Sequence, residues 1–94
     1  TFAVFGGKTP VSSLKGHLGH TLGACGVLEA CVTLEMLGEG WLAPSLNLVN
    51  VDPRCAPLDY VMGAPRPPDA RVAVSNNFAF GGVNTSLVLR RWDD

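Results

Sequence analysis

The sequence is poor in charge. Of its 94 residues only 16% are Asp, Glu, Lys or Arg, seven basic against eight acidic for a formal charge of −1. Nucleic acids and anionic membranes are held by an excess of Lys and Arg, so neither is expected as a main partner. With 47% hydrophobic residues the chain has enough apolar surface for a core, which excludes intrinsic disorder. Cysteine is scarce as well. Cys25, Cys31 and Cys55 form an odd set without CxxC spacing, which argues for reduced thiols in a cytoplasmic compartment and against a disulfide framework. No basic segment followed by an apolar run marks a secretion signal, and the first residue is Thr1 rather than Met. The expectation is therefore a segment of a longer chain. The longest apolar stretch, 21–37, would be about 25 Å long as a helix and carries Glu29 and Glu35, so no membrane span is expected. The glycines match neither GxGxxG nor GxxxxGKS/T, the signatures of phosphate-binding loops.

What is present is glycine and proline punctuation around a few apolar runs. Residues 1–5 read as the tail of a helix stopped by Gly6-Gly7, and Val11-Ser12-Ser13 after Pro10 reads as a short strand. Glycine recurs at Gly16, Gly19, Gly23 and Gly26, a spacing expected where other backbone packs closely. The stretch 21–37 is apolar on every side of a helical wheel, which predicts a helix buried on most faces and ended by Gly38 and Gly40. Residues 41–57, with Pro44, Pro53 and Pro57, predict an irregular connection, and 58–62 a short strand. Residues 71–75 and 85–92 are β-rich. Between them, 76–84 reads as a glycine-containing turn, giving a C-terminal hairpin.

The densest polar cluster is Lys15-Gly16-His17-Leu18-Gly19-His20, just ahead of the apolar helix. Unpaired backbone N–H groups and the dipole near a helix start favour a neutral imidazole, which can donate one hydrogen bond to a developing oxyanion. His20 is placed for that role; a histidine that merely caps or packs fits the same position. Glu29 sits in the middle of the apolar stretch, where a carboxylate needs a cation or several hydrogen bonds unless it faces solvent. Lys15 is the nearest cation in sequence. His17, His20 and Cys25 lack the further ligands of a tetrahedral metal set, and Cys25, flanked by Ala24 and Gly26, reads as core rather than nucleophile. Phe78 and Phe80 beside Gly81-Gly82 place bulky rings on a pliant backbone, which suits a gate over an apolar tunnel and equally an ordinary hairpin.

Together these residues match a family. Val11 to Ala30, VSSLKGHLGHTLGACGVLEA, resembles the VSSxKxxxGHxxGAxGxxEA segment of the elongating β-ketoacyl-acyl carrier protein synthases. Asn76 to Asn84, NNFAFGGVN, resembles that family's NxFGFGGxN loop, and Ala43-Pro44-Ser45-Leu46-Asn47-Leu48 with Asp52-Pro53 is similar to the connecting segment. The resemblance covers essentially the whole chain. It implies an α/β, thiolase-like fold of two βαβαββ halves, of which residues 1–94 would be the C-terminal portion: the last buried helix plus strands of the second half, an incomplete C-terminal domain.

The implied reaction is decarboxylative Claisen condensation of an acyl thioester with malonyl-acyl carrier protein, as in fatty acid biosynthesis. Polyketide or aryl polyene synthesis, or a non-catalytic partner that shapes the tunnel of a heterodimer, shares the fold. Acyl carrier protein is the implied partner, a homodimer the implied assembly, and no cofactor is implied. By the match, His20 corresponds to the second catalytic histidine, Lys15 to the family's lysine and Glu29 to the acidic residue that organises it. Phe80 corresponds to the gating phenylalanine, whose backbone N–H contributes to an oxyanion hole; Phe78, Gly81, Gly82 and Asn84 complete that loop. The family's nucleophilic cysteine and first histidine belong to upstream segments, and none of the three cysteines falls in the nucleophile motif, so the chain alone is expected to be inactive. Two residues depart from the pattern. Ala79 stands where the family has glycine, and His17 is an unusual neighbour for His20.

Overall fold

The computed structural model describes residues 1–93. Two compact units make up the chain, Thr1–Gly19 with Leu42–Pro67, and His20–Trp41 with the residues from Pro68 on.

In the first unit, helix α1 (Phe2–Phe5) ends at Gly6, strand β1 (Pro10–Val11) follows, and a single helical turn, α2 (Lys15–Leu18), ends at Gly19. Two residues of β1 pair in parallel with β2 (Asp59–Tyr60), in the register Pro10 to Asp59 and Val11 to Tyr60. Parallel pairing requires a crossover, so these strands meet only because distant segments return to one edge. The Val61 N–H then donates to the Val11 carbonyl at 2.9 Å, and Ser45 N–H to the Val61 carbonyl at 2.9 Å. Val61, 1% exposed, is the centre of this unit, with Leu14 and Ala43 also buried. Leu42 and Arg66 exchange backbone hydrogen bonds of 2.7 and 3.2 Å, and the Arg66 guanidinium holds Asp59 at 2.6 Å, fixing the end of β2. Both sequence-derived strands in this region, 11–13 and 58–62, are present but shorter than expected.

The second unit packs one helix on a hairpin. The apolar stretch opens as a 3-10 turn (Leu22–Ala24) and continues as α3 (Cys25–Glu39), two residues beyond the expected end, with Gly38 inside it. Gly40 ends the helix in the left-handed region at φ 73°, and its N–H caps the Met36 carbonyl at 3.0 Å. Only glycine adopts that conformation without a Cβ clash. Cys25, Met36 and Leu37 are the buried positions of α3. Val27, Leu28 and Leu34 are exposed: within this chain the two-stranded hairpin covers one stripe of the helix and no more, as expected of an incomplete domain.

The hairpin also differs from the sequence reading. Strands β3 (Val72–Ala79) and β4 (Val83–Arg90) are antiparallel and in unbroken register from Val72 opposite Arg90 to Ala79 opposite Val83. The expected turn 76–84 is therefore mostly strand, and the loop is Phe80-Gly81-Gly82. Gly81 and Gly82, at φ 84° and 79°, supply the two left-handed positions that reverse the chain in so few residues. Asn76 sits opposite Ser86, whose hydroxyl donates to the Asn76 side-chain oxygen at 2.6 Å, which keeps a turn-forming residue inside a strand. At the base, Arg71 is ion-paired with Asp93.

Candidate functional site

Lys15 belongs to the first unit, where it opens α2 and its backbone N–H donates to the Ser13 hydroxyl at 3.3 Å. Ser13 N–H in turn donates to the Ser45 hydroxyl at 3.0 Å. Gly16 explains why this turn needs glycine: a Cβ there would come within 2.9 Å of both the Leu46 Cβ and its carbonyl oxygen. Gly26 lies in ordinary contact range of Asn77 at 3.8 Å, so within this chain Gly16 is the member of the glycine series packed closely against other backbone. His17, unexpected beside His20, has a definite task. Its Nε2–H donates to the Pro44 carbonyl at 2.8 Å and ties α2 to the buried Ala43-Pro44 segment.

His20, Glu29 and the hairpin residues belong to the second unit. The Nδ1 atom of His20 accepts a hydrogen bond from the backbone N–H of Leu22 at 3.0 Å. A neutral imidazole has one N–H and one lone pair, so a ring whose Nδ1 is an acceptor carries its proton on Nε2. The ring is exposed in this chain and its Nε2–H is directed by a bond made on the opposite side of the ring. Leu22 achieves this with φ 51°, left-handed for a residue with a Cβ. Sequence reasoning singled out His20 and missed Leu22, because a leucine carries no signal for a left-handed backbone.

Glu29 lies one turn beyond Cys25 on α3 and is half-buried. The buried Cys25 thiol donates to Glu29 Oε1 at 3.3 Å, so this cysteine serves as a hydrogen-bond donor to the carboxylate as well as core. The Thr33 hydroxyl donates to the Glu29 carbonyl at 2.7 Å. Cys31 and Cys55 are exposed thiols.

The aromatic pair is presented at the hairpin tip. Phe80 is fully exposed at the apex and Phe78, 76% exposed, points from the last turn of β3, opposite Asn84. Gly81 and Gly82 have nothing within 4 Å of a notional Cβ, so their conformation and not their size requires glycine. Gly26 of α3 faces Asn77 of β3, which fixes the helix against the strand that carries Phe78. Among the described residues no group of three or more His, Cys, Asp and Glu could hold a metal ion, and no helix is long and apolar enough to cross a membrane.

Comparison with known proteins agrees over nearly the whole chain. The family described as "Beta-ketoacyl synthase, C-terminal domain" matches residues 2–49, the part containing Lys15, His20 and Glu29. The 3-oxoacyl-[acyl-carrier-protein] synthase 2 of Mycobacterium tuberculosis is 41% identical over 90 residues, 96% of this chain and 21% of that protein. The 3-oxoacyl-[acyl-carrier-protein] synthase 1 of Escherichia coli is 42% identical over 92 residues, 97% of this chain and 22% of its own length. The crystal structure of a beta-ketoacyl synthase from Burkholderia phymatum superposes with a TM-score of 0.95 at 59% identity, covering 98% of this chain and 22% of that one. The chain thus spans about a fifth of the length of the relatives it matches, and it has the thiolase-like fold of that portion. On this match in sequence and in structure, the chain belongs to the beta-ketoacyl synthase family, within its C-terminal domain.

Proposed function

We propose that these residues form the C-terminal portion of a 3-oxoacyl-[acyl-carrier-protein] synthase that elongates acyl chains in fatty acid biosynthesis. In this reading acyl carrier protein delivers both substrates, the intact enzyme is a homodimer, and it works in the cytoplasm. An acyl group is held as a thioester on a cysteine outside this chain. Malonyl thioester loses CO₂, the electron pair of the broken C–C bond is held as an enolate, and its carbon attacks the acyl thioester carbonyl, expelling the cysteine thiolate.

The observation that carries the reading is the Leu22 N–H bond to His20 Nδ1 at 3.0 Å. It leaves Nε2–H as the donor at the free end of the ring, which is what a thioester oxygen gaining negative charge requires. An uncharged, preoriented donor stabilises that oxygen without proton transfer, and one such bond is worth about 3 to 4 kcal/mol of barrier. Lys15 and Glu29 are assigned supporting roles. Cys25, Thr33 and Gly26 give Glu29 and α3 a fixed setting. Phe80, on its three-residue loop, is assigned the gate and, through its backbone N–H, part of the oxyanion hole for the acyl thioester. Phe78, Gly81, Gly82 and Asn84 set the shape and reach of that loop.

The test is to supply the intact protein carrying these residues with acyl- and malonyl-acyl carrier protein. Stoichiometric CO₂ and 3-oxoacyl thioester are expected. Acyl transfer to another acceptor with no CO₂ released would refute the proposal.

A further inference from the structure

We propose that Ala79 is a positioning residue: from the last hydrogen-bonded rung of the β3–β4 hairpin it fixes the direction of the Phe80 N–H, leaving the freedom of the loop to Gly81 and Gly82. The inference deepens the proposed function and rests on its assignment of that N–H to the oxyanion hole. The rung follows from the register. In an antiparallel pair, hydrogen-bonded and non-hydrogen-bonded residue pairs alternate. Arg91 N–H donates to the Arg71 carbonyl at 2.9 Å, one step outside the Val72–Arg90 pair that begins the unbroken register. Counting inward by twos passes Ala73–Leu89, Ser75–Leu87 and Asn77–Thr85 and reaches Ala79–Val83. Ala79 therefore belongs to the bonded set and directs its carbonyl toward β4. In a trans peptide the C=O and N–H point opposite ways, so the Phe80 N–H, which shares this plane, points away from β4. The hairpin does not use this donor, yet holds its direction through the Ala79 carbonyl.

Alanine enforces this arrangement where the similar family loop has glycine. Glycine takes positive φ as readily as negative, so a glycine at 79 could turn the plane between residues 79 and 80 off the rung and carry the N–H with it. Alanine, with its Cβ, keeps to the extended conformation that it has as the last residue of β3. Gly81 and Gly82, at φ 84° and 79°, are the loop positions without that restriction. The two tasks assigned to Phe80 thus divide at its own nitrogen. Its ring swings about bonds beyond the nitrogen, with Gly81 and Gly82 absorbing the change, while the donor ahead of those bonds stays aimed.

The experiment compares the intact synthase with its Ala79→Gly and Ala79→Ser variants. Three quantities are measured: amide hydrogen exchange at Val83, acyl transfer to the enzyme over a range of acyl-acyl carrier protein concentrations, and malonyl decarboxylation. Ala79→Gly should speed exchange at Val83 and lower the kcat of acyl transfer about threefold or more, with KM and malonyl decarboxylation held within about twofold. The split is expected because a loosened donor weakens the transition state and not the bound thioester. Serine keeps the Cβ, so Ala79→Ser should hold Val83 exchange and kcat to within about twofold of the unmodified protein. Ala79→Gly with exchange and kcat both unchanged overturns the proposal, as does a KM that rises while kcat holds, or an Ala79→Ser enzyme as impaired as Ala79→Gly. Faster Val83 exchange in Ala79→Gly with acyl transfer unaffected upholds the restraint and overturns the assignment of the Phe80 N–H to the oxyanion hole.

Discussion

The backbone N–H of Leu22 meets Nδ1 of His20 at 3.0 Å, two residues along the chain. This bond decides which nitrogen of the ring is a donor, and most of the proposed chemistry follows from it. Other interactions within each unit can be tested separately.

Gly16 is expected to tolerate no side chain. In Gly16→Ala the new methyl would meet the Leu46 Cβ and carbonyl oxygen at 2.9 Å, and neither is the end of a flexible side chain. Alanine is the better helix former by about 1 kcal/mol, but overpacking of this kind costs about 1 to 3 kcal/mol. A net loss of stability in urea denaturation of the intact protein is expected.

His17 should matter for stability and not for the chemical step. His17→Ala removes the Nε2–H bond to the Pro44 carbonyl, 2.8 Å, and leaves an acceptor of a buried residue without that donor. About 1 to 2 kcal/mol should be lost. Per folded molecule, malonyl decarboxylation should be unchanged, which parallel denaturation and rate measurements would check.

Gly82→Ala places a Cβ at φ 79° in the hairpin loop. With open space around it, the cost is conformational alone, about 1 to 2 kcal/mol, and it bears on the loop that presents Phe80. Slower acylation with little change in the melting of α3, followed by amide exchange, is the expected outcome.

Asp52 carries the pH signature of the first unit. Hydrogen bonds from the Arg54 side chain, and then from its backbone N–H, hold the carboxyl below its ordinary value of 3.8 and hold the guanidinium above its own. A carboxylate whose folded value is depressed adds stability above pH 3.8 and loses it as pH falls through the lower folded midpoint. Carbon-13 titration of Asp52 should give a midpoint below 3.8, and Arg54→Ala should raise it toward that value without reaching it, because the backbone N–H of residue 54 still donates to the carboxylate. The pair is exposed, so its share of total stability should be too small to resolve by denaturation.

Much of this was legible in the residues. The apolar stretch announced α3, and the motif around His20 announced the family. The parallel pairing of β1 with β2 was not, because each strand is two residues long and its partner lies far along the chain. The extent of the hairpin was hidden for a related reason. Asn76 and Asn77 carry turn propensity, and only cross-strand register and the Ser86 hydroxyl show why they lie in a strand. The exposure of Val27, Leu28 and Leu34 fits the reading of an incomplete domain: the stretch is apolar all round, and the hairpin of this chain covers one stripe of it. Leu22 was invisible for the opposite reason: its conformation contradicts its own preference, as strained residues near working groups do.

The central claim is that the Nε2–H of His20 stabilises the malonyl thioester oxygen as CO₂ leaves. The most direct measurement is on the intact synthase with His20→Ala, following release of labelled CO₂ from malonyl-acyl carrier protein alongside acyl transfer to the enzyme. The account expects decarboxylation to fall by about two to three orders of magnitude, with acyl transfer close to that of the unmodified protein. Equal loss of both rates, or decarboxylation that survives the substitution, would contradict it.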